Sequence, residues 1–285
     1  MVFTPNYDKI QRHTMKYKIT FFLTFAFFTT NFSQSAIDGF LKGKNVLDIA
    51  VSASYQTAEE YFGNAGRFIY RRDLVIINAF AEYGITEKLD VIATLPFIGD
   101  KLQDGGLYFK YKLADLSLKN QKLSIIPAVG ITTPLSNYAT QSGQAIGQQA
   151  TQIHGHLVLQ TTLPAGFFWQ VQGAYHFALD PVPSSYTFSS KLMFNRNKIY
   201  ADFWYEYQKG LGTNTYPSAG VDFRTLTVDY QRIGGVLFYK LKNNWGTFIN
   251  GSYIFTGLDT FLATTFSVGM TKKLEFKKKI NPKAE

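Results

Sequence analysis

The stretch Glu82-Tyr-Gly-Ile-Thr-Glu-Lys-Leu-Asp-Val-Ile-Ala-Thr-Leu-Pro-Phe97 decides the fold, because apolar side chains alternate on each side of its turn around Gly84. Before the turn, the apolar face consists of Val75, Ile77, Ala79, Ala81 and Tyr83. After the turn, it consists of Leu89, Val91, Ala93, Leu95 and Phe97. A period of two on both sides of a short turn predicts a β-hairpin. Strands of about nine or ten residues with aromatic ends suit a tilted crossing of a bilayer, although a soluble hairpin shows the same alternation.

The composition of the 285-residue chain also favours β-structure, because it contains 26 Phe and 18 Tyr while only 17% of its residues are charged. The absence of cysteine excludes a disulfide framework, a thiolate metal site and a lipid-anchoring cysteine. Much of the net charge of +9 is concentrated toward the two ends of the chain. The remaining basic residues form no stripe and lie beside acids, which argues against binding of nucleic acid.

The beginning of the chain has the pattern of a targeting segment. The basic stretch Met15-Lys-Tyr-Lys18 precedes the apolar stretch Ile19–Phe28, which is too short for a transmembrane helix. We therefore predict a secretory signal peptide that is cleaved near Ser33. No stretch after residue 34 is apolar over the roughly 18 residues that a spanning helix needs. The predicted divisions are an over-extended start at 1–14, a signal peptide at 15–33, a β-barrel at 34–276 and a basic tail at 277–285.

Twelve segments show the alternation that is typical of strands. They are 45–55, 72–83, 89–97, 107–113, 123–133, 151–163, 167–179, 188–194, 199–208, 225–241, 245–255 and 261–276. The sequence predicts a loop over Gln56–Phe68 and a polar turn over Ala114–Lys122. Pro127 weakens the prediction of the fifth strand or marks a bulge in it, because proline cannot donate to a sheet.

Two regularities favour a closed barrel in a membrane. Predicted connections alternate between long and short, with Ala114–Lys122 as the exception, as in outer-membrane barrels with short inner turns and longer outer loops. Aromatic residues lie near strand ends, as an interfacial girdle requires. We therefore predict an all-β fold, a transmembrane antiparallel up-and-down β-barrel of about twelve strands. The alternative is an exported soluble β-sandwich, whose inner faces would carry too much polar sequence.

Several short motifs resemble a family of bacterial outer-membrane proteins. These motifs are Glu82-Tyr83-Gly84-Ile85-Thr86, Leu89-Asp90-Val91, Leu95-Pro96, Gly99-Asp100 and Lys110-Tyr111-Lys112-Leu113. They are similar to the outer-membrane β-barrel transporters of the meta-pathway of phenol degradation (MetA-like) family. The resemblance implies transport of small hydrophobic or aromatic molecules. The strand that ends at Phe276 also resembles the signal read by the barrel-assembly machinery, although the basic tail after it departs from the usual barrel terminus.

The polar faces of the predicted strands supply candidates for the lining of the lumen. The pore-lining candidates are Arg72, Glu82, Tyr108, Lys110, Lys112, His154, His156, Asp202, Trp204, Glu206, Tyr230 and Arg232, and the wider set adds Asp48, Asp90, His176, Phe238 and Glu275. Paired charges of this kind either select a polar head group or form a salt-bridged, hydrated interior. Inward aromatic residues either guide apolar solutes or fill space.

The sequence His154-Gly-His156 places two imidazoles on one strand face, about 7 Å apart along the strand. A metal site or a catalytic histidine is conceivable there, but no zinc motif is present, and we assign no metal ligand, cofactor or catalytic residue. Lipid hydrolysis needs a nucleophile on the outer wall, and no serine lies two residues after either histidine. A one-residue slip in register would move both histidines to that wall.

These observations predict a non-enzymatic channel in the outer membrane of a Gram-negative-type bacterium. Its expected partners are outer-membrane lipid, the barrel-assembly machinery and a small solute, which we expect to be hydrophobic or aromatic. Two alternatives belong to other functional classes. One is a lipid-active outer-membrane hydrolase that uses His154 or His156, and the other is a closed structural or adhesion barrel whose loops bind a partner.

Overall fold

The computed structural model describes residues 37–118, 121–141, 145–218 and 220–276. The expected over-extended start, the signal peptide and the basic tail lie outside these residues. Within them, the chain forms fourteen strands and two short 3-10 helices, at Pro164–Gly166 and Phe223–Thr225. The strands are β1 (Val46–Gly63), β2 (Gly66–Gly84), β3 (Leu89–Ile98), β4 (Lys101–Leu102), β5 (Asp104–Tyr111), β6 (Ala114–Leu118), β7 (Gln121–Pro134), β8 (Gln152–Thr162), β9 (Phe167–Ala178), β10 (Ser185–Arg196), β11 (Ile199–Gly210), β12 (Asp229–Lys240), β13 (Trp245–Leu258) and β14 (Thr260–Glu275).

The strands form one antiparallel sheet that closes on itself. Among the described residues, β4 pairs only with β3 and β6 pairs only with β7, so twelve of the fourteen strands make up the ring. Closure comes from β1, which pairs with β2 on one side and with the last strand, β14, on the other. The predicted fold class, a twelve-stranded up-and-down β-barrel, is confirmed. No helix in the described part of the chain is long and apolar enough to cross a membrane.

The hairpin predicted on the two sides of Gly84 is present as β2 and β3. In the register of β2 and β3, Tyr83 faces Val91 and Ala79 faces Leu95. The side chains of this apolar face point outward, while Glu82 and Asp90 on the opposite face are buried inside the barrel. The same alternation around the ring gives the barrel an apolar outer surface and a polar interior.

The predicted loop Gln56–Phe68 is wrong, because β1 and β2 continue through it to a tight turn at Asn64. A bulge between Ala58 and Glu60 shifts the register with both neighbouring strands. An extra residue reverses which face each later side chain occupies, so the alternation of the sequence is interrupted although the strand continues.

Two further predictions concern β7, namely the turn before it and the proline inside it. Part of the predicted turn Ala114–Lys122 is the short strand β6, which pairs with β7. Pro127 lies inside β7, between Ala128, which pairs with β5, and Ile125, which pairs with β6. No residue of β5 or β6 is paired with the proline, so its missing N–H costs no bond to these strands.

The start of β1 and the end of β14 lie at one end of the barrel, together with the short turns such as the one between Gly84 and Leu89. We call this the turn end. The opposite end, which we call the loop end, carries the two long connections, residues 135–151 and 211–228. These loops bond to each other, because the Gln148 side chain donates to the backbone oxygens of Arg224 and Leu226, each at 3.0 Å.

Candidate functional site

Three cavities lie along the lumen in the described part of the chain. A polar cavity of about 240 Å³ is lined by histidines of β8 and β9 together with Glu206 and Arg232. A larger cavity of about 550 Å³ runs between β1–β3 and β12–β14 and is lined by aromatic, aliphatic and small polar side chains together with charged ones, which are Asp38, Lys42, Asp48, Glu82 and Arg232. A third cavity, of about 290 Å³, lies at the loop end. Arg232 contributes to both the first and the second cavity.

Lys110 is the centre of a buried ion cluster at the turn end of the lumen. Its ammonium group lies 2.6 Å from Glu82 and 4.0 Å from Asp90, and the Lys110 side chain has an exposed fraction of 0%. Lys110 also donates to Asp38 at 3.0 Å. Lys42 adds a second cation, 3.1 Å from Glu82. A cation that is so fully desolvated requires this number of anionic partners.

Asp38 and Lys42 belong to residues 37–43, a stretch ahead of the first strand that crosses the inside of the barrel. Ile37 is fully buried against Ile92, Tyr108, Ile126, Ala128 and Val158 on the inner wall. The Gly39 amide donates to Gln170 on β9 at 3.0 Å. The Phe40 ring packs edge-on against Phe168, with centroids 5.2 Å apart. We call this stretch the inner segment, and it narrows the lumen at the turn end.

The structure brings three histidines together on the inner wall. His154 and His156 lie on β8, as predicted, and His176 lies directly opposite His154 on β9. Nδ1 of His154 is 2.6 Å from Nδ1 of His176. The Tyr108 ring, which was also predicted to face inward, is tilted against His154 with centroids 5.5 Å apart.

A second polar group on β11 and β12 faces the histidines across the polar cavity. Glu206 accepts hydrogen bonds from Arg232 at 2.5 Å and from Tyr230 at 2.8 Å. The Arg232 guanidinium lies 5.5 Å from the centre of the buried Trp204 ring. Asp202, next along the inner face, accepts from the Val236 amide at 2.9 Å. These residues form a lining beside the cavity in which both carboxylates are hydrogen-bonded, whereas Nε1 of Trp204 and Nε of Arg232 are buried without a hydrogen-bond partner among the described residues.

The loop end holds a group of aromatic side chains around Arg72. The Arg72 guanidinium lies 3.7 Å from the centre of the Phe261 ring and donates to the backbone oxygen of Ala145 at 2.7 Å. Tyr61 packs edge-on against Phe261 and Tyr216, with centroids 4.9 Å and 5.8 Å apart. This aromatic chamber, as we call it, comprises Tyr61, Phe68, Tyr70, Tyr216, Phe223 and Phe261.

Two loop carboxylates stabilise the chamber. Arg224 holds Asp222 through side-chain hydrogen bonds, which keep the pKa of Asp222 well below its usual range. Burial raises the pKa of Asp259 to about 6. Asp259 accepts from the Tyr216 amide at 3.0 Å, so it fixes one aromatic residue of the chamber in place.

Not every predicted pore-lining residue reaches this site. Lys112 lies in the connection after β5, 3.7 Å from Asp115, and is partly exposed. Glu275 pairs with Lys273 at the exposed end of β14. Asp48 and Phe238 do line the larger cavity. The inner segment was not predicted, because residues 37–43 show no periodicity. The charged side chains of Asp38 and Lys42 are the one feature of this stretch that indicates a polar surrounding.

Several solved structures share this fold. The chain is similar to an outer-membrane channel from Pseudomonas putida F1, with a TM-score of 0.65 and 11% identity over 84% of this chain and 99% of the other. It is similar to the KdgM porin, with a TM-score of 0.52 and 10% identity over 80% of this chain and 99% of the other. The NanC porin gives a TM-score of 0.52 and 10% identity over 81% and 100%.

These similarities concern the fold, since the identities are low. No protein-family model matches the sequence. No curated protein matches it either. The three structures share with this chain the architecture of an outer-membrane barrel that is closed around a lumen.

Proposed function

We propose that this protein is an outer-membrane channel that admits small hydrophobic or aromatic solutes. The observation that carries the proposal is the aromatic chamber at the loop end, a cavity of about 290 Å³. Aromatic faces bind other aromatic rings through offset or edge-on contacts, so the chamber offers a first binding position for such a solute. The MetA-like resemblance of the sequence supports the same class of solute.

The larger cavity gives the solute a place to continue. Its volume of about 550 Å³ suits a small organic molecule. Phe80, Phe238 and Phe248 line it together with serines, threonines and a group of charged residues that includes Glu82 and Arg232. Gln56 and Ile254 line both this cavity and the chamber, so the two spaces share a wall. The proposed route therefore runs from the chamber along the β1 and β13 side of the lumen.

A closed structural or adhesion barrel is the second candidate, and the inner segment favours it. Its contacts with β3, β5, β7, β8 and β9 fill part of the lumen at the turn end, while the two long loops bond together over the loop end. For transport, the inner segment must shift or the solute must pass beside it. The hydrolase alternative gains no support, because His154 and His156 line the lumen and lie away from the outer wall.

Conductance in planar bilayers tests the channel directly. We expect the purified protein to give discrete, small openings. Liposome uptake should then favour a membrane-impermeant aromatic solute, such as a benzenesulfonate, over a sugar of similar size. Replacing Tyr216 and Phe261 with Ala should remove this preference. The matched control is Phe203→Ala, which removes an aromatic ring from the outer surface. A folded barrel that gives neither openings nor uptake would favour the adhesion candidate.

A further inference from the structure

Three of the four histidines of the sequence form one cluster on the inner wall of the barrel. One nitrogen from each of His154, His156 and His176 lies within 4.8 Å of the other two. Nitrogens that bind one ion at about 2.0–2.1 Å lie about 3.4 Å apart in a tetrahedral site. Small rotations of the imidazole rings therefore bring all three nitrogens to one metal ion.

The outer nitrogens of two of these rings are already held. Nε2 of His154 is 2.9 Å from the Thr132 hydroxyl, and Nε2 of His176 is 3.1 Å from the Thr187 hydroxyl. Metal-binding histidines commonly have such a partner on the nitrogen that faces away from the metal, because it fixes the tautomer and the ring orientation. The two Nδ1 atoms consequently face each other, and at 2.6 Å they share a proton that a metal ion would replace.

The third ring presents an unused nitrogen. Nε2 of His156 is buried and has no hydrogen-bond partner among the described residues. Its Nδ1 lies 2.9 Å from the side-chain nitrogen of Gln172. A half-turn of this amide gives up the 3.4 Å hydrogen bond that its oxygen accepts from Gln170 and presents that oxygen to Nδ1–H of His156 instead, which leaves the lone pair of Nε2 free for a metal. A buried polar atom without a partner is costly, so ligation of this nitrogen would remove that cost.

The donor set determines the class of ion. Neutral imidazoles bind borderline ions such as Zn²⁺, Co²⁺, Ni²⁺ and Cu²⁺, whereas Mg²⁺ and Ca²⁺ prefer oxygen. The cluster lines a cavity of about 240 Å³, so water can complete the coordination and the ion can enter from the lumen. Three protein ligands with one open position form an accessible site.

We propose that His154, His156 and His176 bind one divalent transition-metal ion inside the barrel. This site does not depend on the channel function, because the three ligands and their threonine partners belong to the barrel wall in an open or a closed barrel alike. It differs from the expectation drawn from the sequence, which assigned no metal ligand because no zinc motif is present.

Titration of the full chain, purified without a polyhistidine tag, tests the proposal. Calorimetry should show one Zn²⁺ or Co²⁺ bound per chain, and Co²⁺ should give the visible absorption of a site with low coordination number. Mg²⁺ should not compete. His156→Gln and His176→Gln should each weaken binding at least about 10-fold, and Thr187→Val should weaken it by about 10-fold, because it removes only the outer partner of His176. Thr187→Val keeps all three ligands, so it tests the site even if a histidine variant fails to fold.

In the unprocessed full chain, refolded with residues 1–33 still present, His13→Gln is the matched control, since it removes the one histidine of the sequence outside the cluster, and it should bind the metal as the wild type does. Heat-modifiable gel mobility should show that every variant is folded. Failure of the folded wild type to bind one ion would overturn the proposal. Unchanged binding by a folded triple variant with Gln at all three positions would also overturn it.

Discussion

Two lysines that lie two positions apart on β5 and in the connection after it show that burial decides how much a charged side chain contributes to stability. Both Lys110 and Lys112 were predicted to line the lumen. Lys110 is fully buried and is bonded to Glu82 and Asp38, whereas Lys112 makes a partly exposed pair with Asp115 at 3.7 Å. The two side chains have the same charge, so a comparison of their substitutions isolates the effect of burial.

We expect Lys110→Met to destabilise the barrel by about 3–5 kcal/mol, because it leaves buried carboxylates without their central cation. Lys42, 3.1 Å from Glu82, remains in place and should keep the loss toward the lower end of that range. Guanidinium unfolding in lipid vesicles, followed by tryptophan fluorescence, measures the difference in the free energy of unfolding.

Lys112→Met is the matched control for this substitution. A partly exposed ion pair contributes about 0–1 kcal/mol, so this variant should unfold almost as the wild type does. Equal losses in the two variants would show that the cluster around Lys110 is hydrated in solution and that its burial contributes little.

A carboxyl group at the loop end should make stability depend on pH. Burial raises the pKa of Asp259 from 3.8 to about 6. The folded state therefore binds the proton more tightly than the unfolded state, and the contribution is full below about pH 4 and is lost as the pH rises through 6. The free energy of unfolding of the wild type minus that of Asp259→Asn should therefore fall as the pH rises from 4 to 6 and stay constant above that range. A difference that is flat across this range would contradict the assignment.

At the scale of elements, the inner segment is the feature that most affects transport. Its contacts with the inner wall come from β3, β5, β7, β8 and β9, and Lys42 ties it to Glu82 on β2 as well. Deleting residues 37–42 should raise the single-channel conductance several-fold, because the inner segment would then no longer narrow the lumen at the turn end. Conductance in planar bilayers measures this change.

A reducible disulfide that holds the inner segment against β8 provides the control for that deletion. A Cβ atom at Gly39 would lie 2.8 Å from Cβ of Gln160, and the chain contains no natural cysteine. A cysteine at each position can form a disulfide after a shift of about 1 Å, since Cβ atoms in disulfides lie about 3.5–4.5 Å apart. The oxidised variant should keep the conductance of the wild type. If the deletion also left conductance unchanged, the inner segment would not restrict the lumen.

The strands could largely be predicted from the sequence, because a strand with an apolar outer face and a polar inner face has side chains that alternate in polarity along the chain. The alternation did not identify the structure where a strand is bulged or where a segment is not a strand. The bulge at Ala58 and Glu60 reversed the faces of β1, so its continuation was interpreted as a loop. The inner segment has no period, because it touches several strands through individual contacts. The histidine cluster needed the register of β8 and β9, which places His176 opposite His154 and which no local pattern gives.

At the scale of the whole molecule, the outer surface of the barrel is an apolar band bordered by aromatic residues. Val51 lies midway along it, paired with Ala79 on β2 and Met270 on β14, and half of its surface is exposed. Trp169, Tyr239, Trp245 and Phe276 lie near strand ends at the turn end and are also exposed. Beyond the band, β2 projects past β3, because their pairing ends at Ile76 and Ile98, while β1 stays paired with β14 as far as Phe62. An exposed apolar band of this extent indicates contact with lipid tails.

Charge placed at two heights of this surface tests whether the band lies in a membrane. Val51→Arg should cost about 2–4 kcal/mol of folding free energy in lipid vesicles, because an arginine at the bilayer midplane loses its hydration. Ile69→Arg should cost about 0–1 kcal/mol, because Ile69, with an exposed fraction of 94%, lies on the projecting part of β2 and faces water. Equal costs for both substitutions would contradict the proposed position in the membrane. A large cost at Val51 alone would place the apolar band, and with it the lumen and its three cavities, across the bilayer.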